Sequence, residues 1–319
     1  MLVASYLPQQ AITNDDFAEL GVGAAERIYQ RTGIRQRRVT ATDEFALDLA
    51  EKACLNLFAK GVDSQTIDFI VYCTQSPDSI LPNNASLLQH RLQLSTRIGS
   101  FDINQGCTGF VYGLSIAKGI IQSGQAKRVL LVTSDTYSKY LRADDYSSRS
   151  IFADGASATV INKQDADNML DFAFYTDGGG ARLLNVSGAG LRDRQQVASL
   201  YMNGPGIFML TLKLIPSMCD ALIQGRQLNY DDISHFFFHQ ANAYMLEHLR
   251  KKLGINKSRF HYHLQNVGNT VSSTIPLTIE HHAAKLTQAK EQYSLLVSFG
   301  IGYSIAVCLL KIHYGQELL

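Results

Sequence analysis

The segment FDINQGCTGF, residues 101–110, runs from the end of a predicted strand into the start of a predicted helix and places Cys107 at the junction. Gly106 and Gly109 flank the cysteine and leave room for a close approach of backbone or ligand. Because the first turn of a helix has unpaired N–H groups and the positive end of the helix dipole, we expect this position to favour the thiolate. A nucleophile and a small buried side chain are both open interpretations of Cys107.

Short apolar segments alternate with helical patterns in two series, one in each half of the chain. Such runs between helices indicate mostly parallel strands that are buried on both faces. We therefore predict a duplicated α/β fold with an N-terminal half of residues 1–164 and a C-terminal half of residues 165–319. Besides the strand that leads to Cys107, the predicted strands are 69–73, 129–132 and 158–161 in the first half and 236–238, 260–264, 295–297 and 305–310 in the second.

The repeat also predicts where functional side chains lie. Cys107 follows the second strand of the first half, and Asn269, in Gly-Asn-Thr, occupies the corresponding strand-to-helix junction of the second half. His239 follows the strand at 236–238, and open α/β sheets bind ligands at the ends of their strands. The three side chains can share one cleft. A hydrogen-bonded core histidine and an asparagine that only caps a turn remain open alternatives.

Composition limits the partners to expect. The chain has 319 residues and a net charge of +1, which argues against a surface devoted to nucleic acid or membrane. No uncharged apolar run of transmembrane length is present and residues 1–8 do not resemble a signal peptide, so we expect a cytoplasmic protein. The five cysteines lack paired C-x-x-C spacing, and the nine histidines show no metal-ligand spacing, so we expect reduced thiols and no metal.

Seven ordered motifs carry a family resemblance along almost the whole chain. They are Tyr6-Leu7-Pro8, Thr32-Gly33-Ile34-Arg35, Gly106-Cys107-Thr108-Gly109-Phe110, Phe152-Ala153-Asp154-Gly155-Ala156, His239-Gln240-Ala241-Asn242, Gly268-Asn269-Thr270-Val271-Ser272 and Phe299-Gly300-Ile301-Gly302. On these motifs the chain resembles the β-ketoacyl-acyl-carrier-protein synthase III group of the thiolase superfamily. The resemblance implies a five-layered αβαβα fold built from two pseudo-repeated halves, a homodimer, and a catalytic set of Cys107, His239 and Asn269.

The same resemblance implies the reaction. Cys107 takes the acyl group of a primer carried by coenzyme A or by acyl carrier protein (ACP), without a further cofactor. Malonyl-ACP then loses carbon dioxide, and His239 and Asn269 stabilise the enolate by hydrogen bonds. The backbone N–H groups of Cys107 and Ile301 are the expected oxyanion hole. The product is a β-ketoacyl thioester of fatty acid or related acyl or polyketide biosynthesis.

Neighbouring groups of the superfamily fit less well. The C-terminal loop, residues 300–304, lacks the second cysteine of degradative thiolases, and residues 74–78 lack the glutamate base near the strand end in hydroxymethylglutaryl-CoA synthases. Asn269 favours condensation over simple transfer. Two alternatives remain open: an acyltransferase that moves the acyl group from Cys107 to a hydroxyl or amine, and a non-enzymatic partner subunit of a heterodimer.

Substrate contacts depart from the family pattern. Arg27 stands where many members place a tryptophan that stacks on adenine, and Tyr244 replaces a docking arginine. The acyl pocket is expected to include Phe152 and, across the dimer, Leu81. The predicted contacts to carrier or coenzyme A are Arg27, Asn242, Arg250, Lys251 and Lys252.

Overall fold

The computed structural model describes residues 1–192, 196–286 and 292–312. The strands, numbered in chain order, are β1 Leu2–Tyr6, β2 Ala11–Thr13, β3 Gln36–Arg38, β4 Phe69–Cys73, β5 Gly99–Ile103, β6 Val129–Asp135, β7 Gly155–Ile161, β8 Met169–Thr176, β9 Leu184–Ser187, β10 Ser199–Met202, β11 Ile233–Phe238, β12 Phe260–His261, β13 Gln292–Gly300 and β14 Ser304–Ile312. The α-helices are α1 Ala24–Thr32, α2 Ala46–Ala59, α3 Asn84–Arg91, α4 Gly109–Gln122, α5 Tyr146–Arg149, α6 Lys163–Asn168, α7 Gly204–Gly225, α8 Ala243–Lys252 and α9 Thr274–Leu286.

Two five-stranded sheets repeat one topology. Their strand orders are β1-β7-β6-β4-β5 and β8-β14-β13-β11-β12. In each sheet the first two neighbouring pairs are antiparallel and the last two are parallel. The predicted duplicated α/β fold is therefore confirmed. The boundary after residue 164 stays a prediction, and α6 spans it.

The expectation of mostly parallel strands is wrong for half of the pairs in each sheet. A helix layer covers both faces of each sheet, so antiparallel strands here also read as continuous apolar runs. The hydrophobic pattern therefore does not distinguish parallel from antiparallel strands in this fold.

Helices separate and flank the two sheets. In the centre, α4 contacts β4 and β6 of the first sheet and β13 and β14 of the second, and α9 contacts β1, β7 and β11. On the outer faces, α2 and α3 pack on the first sheet, and α7 packs on β8 and β14 of the second and on α8. These contacts produce the five layers αβαβα. Among the described residues, only α7 is long and apolar enough to cross a bilayer, by length and composition alone.

The β5–α4 junction is closely packed. A Cβ added to Gly109 would lie 2.0 Å from Sγ of Cys73, and one added to Gly106 would lie 2.3 Å from Oε1 of Gln75. Only glycine fits such positions, and the predicted close approach around Cys107 is confirmed. At the other end of α4, Gly124 has a φ of +78°, as expected for a helix stop.

Candidate active site

Cys107, His239 and Asn269 line one cavity of about 620 Å³. Each of them follows a strand end or strand-to-helix junction of its half. Apolar side chains form much of the remaining wall, among them Ile28, Leu184, Met202, Ile207, Phe208 and Met245. The structure thus brings the three predicted residues together, and their catalytic roles stay predictions.

Cys107 is buried between β5 and α4, with 5% of its surface exposed. It stands before Thr108, the N-cap of α4, and packs against Gly300, where an added Cβ would lie 3.0 Å from its Sγ. Burial raises the pKa of the Cys107 thiol, and the nearby Asp135 carboxylate raises it further. This direction runs against the expectation that the helix start favours the thiolate, because burial penalises the charged form.

His239 is a buried, neutral imidazole. The backbone N–H of His239 donates to the carbonyl oxygen of Val297 over 2.8 Å, which fixes the residue beside β13. Its Nδ1 lies 2.7 Å from Oγ1 of Thr274, and this leaves Nε2 for a ligand in the cavity. Burial lowers the pKa of His239 to about 3, so the ring carries no charge at neutral pH.

Asn269 is held by its backbone and by its amide oxygen. Its N–H donates to the carbonyl oxygen of Ile151, and its own carbonyl oxygen accepts from Ala153, each over 2.9 Å. The side-chain oxygen accepts the N–H of Val271 over 3.0 Å. The Asn269 amide nitrogen therefore remains as a hydrogen-bond donor for the cavity.

Asp135, at the end of β6, is a buried residue of this region that the sequence analysis missed. Its carboxylate accepts the N–H of Gln75 over 2.8 Å and the hydroxyl of Ser272. Burial raises the pKa of Asp135 to about 7. The available signal was an aspartate directly after an apolar strand, but the same pattern is typical of surface turns.

The acyl-pocket predictions have different outcomes in the structure. Phe152 lines the cavity, and its ring lies 5.4 Å from that of Tyr137. Leu81 does not line the cavity of its own chain and is 84% exposed. Its reach into a partner subunit stays a prediction.

The structure places the predicted oxyanion donor, Ile301, outside the cavity lining, whereas the preceding Gly300 contacts Cys107. The backbone N–H of Ile301 stays a prediction as an oxyanion donor.

Of the predicted carrier or coenzyme contacts, only Asn242 lines the cavity, where its side chain also accepts the N–H of Met245 as the N-cap of α8. Arg27 does not line it, because its guanidinium turns to the carbonyl oxygens of Leu20 and Val22. Arg31, one helical turn further along α1, lines the cavity instead.

The basic end of α8 also lies outside the cavity lining. Arg250 pairs with Glu247 and donates to the carbonyl oxygen of Ile255, and Lys251 lies 3.6 Å from Glu247. Lys252 is exposed in the last turn. Within the described ranges, no group of three or more His, Cys, Asp or Glu residues could hold a metal ion.

Two equivalent sheets around a shared helix layer, with one cavity reached by strand ends of both halves, define a protein of the thiolase fold class. Models of the family described as 3-oxoacyl-[acyl-carrier-protein] synthase III match residues 101–178 and, for the C-terminal part, residues 223–312. The β-ketoacyl-[acyl-carrier-protein] synthase III of Xanthomonas campestris pv. campestris is 34% identical over 312 residues, which are 96% of each chain. The chain belongs to this synthase III family and is a transferase.

Solved structures agree with this assignment. A 3-oxoacyl-(acyl-carrier-protein) synthase III is 42% identical, with a TM-score of 0.92 over 97% of this chain and 98% of the other. A 3-oxoacyl-(acyl-carrier protein) synthase from Burkholderia xenovorans LB400 is 31% identical, with a TM-score of 0.91 over 98% of this chain and 93% of the other.

Proposed function

We propose that this chain condenses an acyl group carried on Cys107 with malonyl-ACP and releases a β-ketoacyl thioester for fatty acid or related acyl biosynthesis. The observation that carries the proposal is the convergence of Cys107, His239 and Asn269 on one largely apolar cavity. An apolar wall suits an acyl chain, and the polar groups at its end suit the thioester.

In the first step, the sulfur of Cys107 attacks the primer thioester. A new carbon–sulfur bond forms, the bond to the carrier sulfur breaks, and the proton of Cys107 ends on the departing thiol. The backbone N–H groups of Cys107 and Ile301 would stabilise the oxyanion.

In the second step, the malonyl group loses carbon dioxide and its bonding electrons form an enolate. The amide nitrogen of Asn269 and Nε2–H of His239 would donate to the enolate oxygen. The hydroxyl of Thr274, 2.7 Å from Nδ1, would support this tautomer by donating to that atom in place of the carbonyl oxygen of Val271, which lies 3.3 Å away. The enolate carbon then attacks the acyl carbon on Cys107, which breaks the carbon–sulfur bond and returns the thiolate to be reprotonated.

The carriers, the cellular location and the oligomeric state belong to the same proposal. We propose that ACP carries the malonyl group and that coenzyme A or ACP carries the primer. We also propose a cytoplasmic location and a homodimer. The exposed Ile80 and Leu81 support the homodimer, since a partner subunit would cover them. Arg31 at the cavity is suited to an anionic carrier group.

Intact-protein mass spectrometry tests the proposed function. The protein and Cys107→Ala are treated with acyl-CoA and acyl-ACP donors and then with malonyl-ACP. We expect an adduct on the wild-type protein only, discharged as a β-ketoacyl product with release of carbon dioxide. An adduct that passes to an alcohol or amine would replace condensation by acyl transfer, and no adduct from any donor would indicate a partner subunit.

A further inference from the structure

The proposed condensation makes no use of Asp135, although its carboxylate is fully buried beside the site. One oxygen accepts the N–H of Gln75 over 2.8 Å and lies 3.5 Å from the hydroxyl of Ser76. The other accepts the hydroxyl and, over 3.4 Å, the N–H of Ser272. The carboxylate therefore connects the segment after β4 to the turn that follows Asn269.

Gln75 extends this connection to the nucleophile. Its side-chain oxygen accepts the hydroxyl of Tyr137 over 2.7 Å. The same oxygen occupies the space that a Cβ on Gly106 would need, at 2.3 Å. Asp135 and Cys107 are thus connected through Gln75 and Gly106.

Asp135 lies among other acids. Burial raises the pKa of the thiols of Cys73 and Cys107 and of the phenols of Tyr137 and Tyr140, and the carboxylate of Asp135 raises each of them further. In turn, the carboxylate of Asp154 raises the pKa of Asp135. The hydrogen bonds from Ser272 and Gln75 favour the ionised carboxylate and oppose its burial.

We propose that Asp135 is a positioning residue: its carboxylate ties the Asn269 turn to the strand end beside Cys107. The proposal rests on the proposed function only in calling this site a condensation site. Asp135 acts through Cys107 and Asn269 and touches no reacting atom.

The carboxylate is tested with Asp135→Asn, which keeps the shape of the side chain and removes its charge. Malonyl-ACP decarboxylation is measured as release of carbon dioxide, and acylation of Cys107 is measured by intact mass. We expect decarboxylation to fall about tenfold while acylation stays within about twofold, since the hydrogen bonds to the Asn269 turn lose their charge assistance. A merely structural loss would lower both rates alike.

Asp154→Asn is the matched control. Asp154 is also buried, and its carboxylate accepts hydrogen bonds from Thr40 and Ser138 instead. We expect its ratio of the two rates to match the wild-type ratio. An unchanged ratio in Asp135→Asn, or an equal change in both variants, would overturn the positioning role.

The tie to the Asn269 turn is tested with Ser272→Ala, which also serves if Asp135→Asn does not fold. We expect malonyl-ACP decarboxylation to fall about tenfold while acylation of Cys107 stays within about twofold, since one charge-assisted hydrogen bond is lost. Ser273→Ala is the control, because the Ser273 hydroxyl bonds to Thr133 and the carbonyl oxygen of Gly155. We expect its ratio of the two rates to match the wild-type ratio.

Equal losses of both rates in Ser272→Ala, or no loss, would overturn the positioning role. The two proposals fail separately. If no donor acylates Cys107 of the wild-type protein, the proposed function is wrong. If the wild-type protein condenses and neither variant changes the ratio of the two rates, only the positioning role is wrong.

Discussion

The oxygen and the nitrogen of the Asn269 side-chain amide have different roles. The oxygen accepts the N–H of Val271 and holds the turn, and the nitrogen is left for a ligand. A carboxylate at this position would keep the acceptor and lose the donor. The side chain can therefore be changed at its functional atom alone.

We predict that Asn269→Asp lowers malonyl-ACP decarboxylation at least about 100-fold, because a preorganised donor to the enolate is lost and a negative charge faces it. Acylation of Cys107 by the primer should continue. The two half-reactions are measured separately, by release of carbon dioxide and by intact mass. The circular dichroism spectrum of the variant should match that of the wild-type protein, which controls for folding. Unimpaired decarboxylation would contradict the assigned role of the amide.

The protonation states of single residues could not be predicted from the sequence. The strand-to-helix pattern correctly predicts the place of Cys107, but the state of its thiol depends on burial and on Asp135. The partners of Asp135, Gln75 and Ser272, are 60 and 137 positions away in the chain. No local pattern connects residues at such separations.

At the scale of single elements, two of the three glycines of α4 have opposite surroundings. Gly109, in its first turn, faces Sγ of Cys73, whereas nothing lies within 4 Å of a Cβ added to Gly119. The same substitution should therefore have opposite effects at the two ends of one helix.

We predict that Gly109→Ala lowers the free energy of unfolding by about 1–3 kcal/mol through overpacking. Gly119→Ala should raise it by about 0.5–1 kcal/mol, because alanine is the better helix former. Urea denaturation of the two variants measures both changes. Adding Cys73→Ala to Gly109→Ala should restore part of the loss, and a double variant no more stable than Gly109→Ala would refute the contact.

The predicted strands lie inside the observed strands β4, β6, β7, β11, β13 and β14, with one exception. The strand predicted at 260–264 is only β12, Phe260–His261. The N–H of His263 donates to the side chain of Gln240 over 2.9 Å instead of to a strand. The side chain of Gln240 takes the hydrogen bond that would continue the strand. Apolar periodicity carries no information about such a side-chain partner.

At the scale of the whole molecule, buried neutral histidines make stability depend on pH. Burial lowers the pKa of His239 to about 3, and burial with the neighbouring His281 and His282 lowers that of His263 to about 4. In the unfolded chain both would titrate near pH 6.5. Their contribution to stability is complete above that pH and is lost as the pH falls towards their folded values.

We predict that the thermal unfolding midpoint decreases between about pH 6.5 and pH 4, and that His263→Gln makes the decrease shallower. Asp135 acts in the opposite direction, because its carboxyl binds a proton in the folded protein at higher pH than in the unfolded chain. The difference between variant and wild type removes this common contribution. His90→Gln, at an exposed position of α3, is the control and should follow the wild-type curve.

The duplicated order of elements could be predicted from the alternation of apolar runs and helical patterns, and with it the meeting of Cys107, His239 and Asn269. Strand directions could not, because burial between helix layers removes the alternation that distinguishes them. The surroundings of the cavity, such as the turn of Arg27 away from it, depend on packing across elements.

The repeated topology of the two sheets has a further consequence for how the site is divided. The two halves present equivalent strand-to-helix junctions, yet Cys107 stands at the first and Asn269 at the second. The site is therefore composite, and neither half of the chain contains the complete set of side chains.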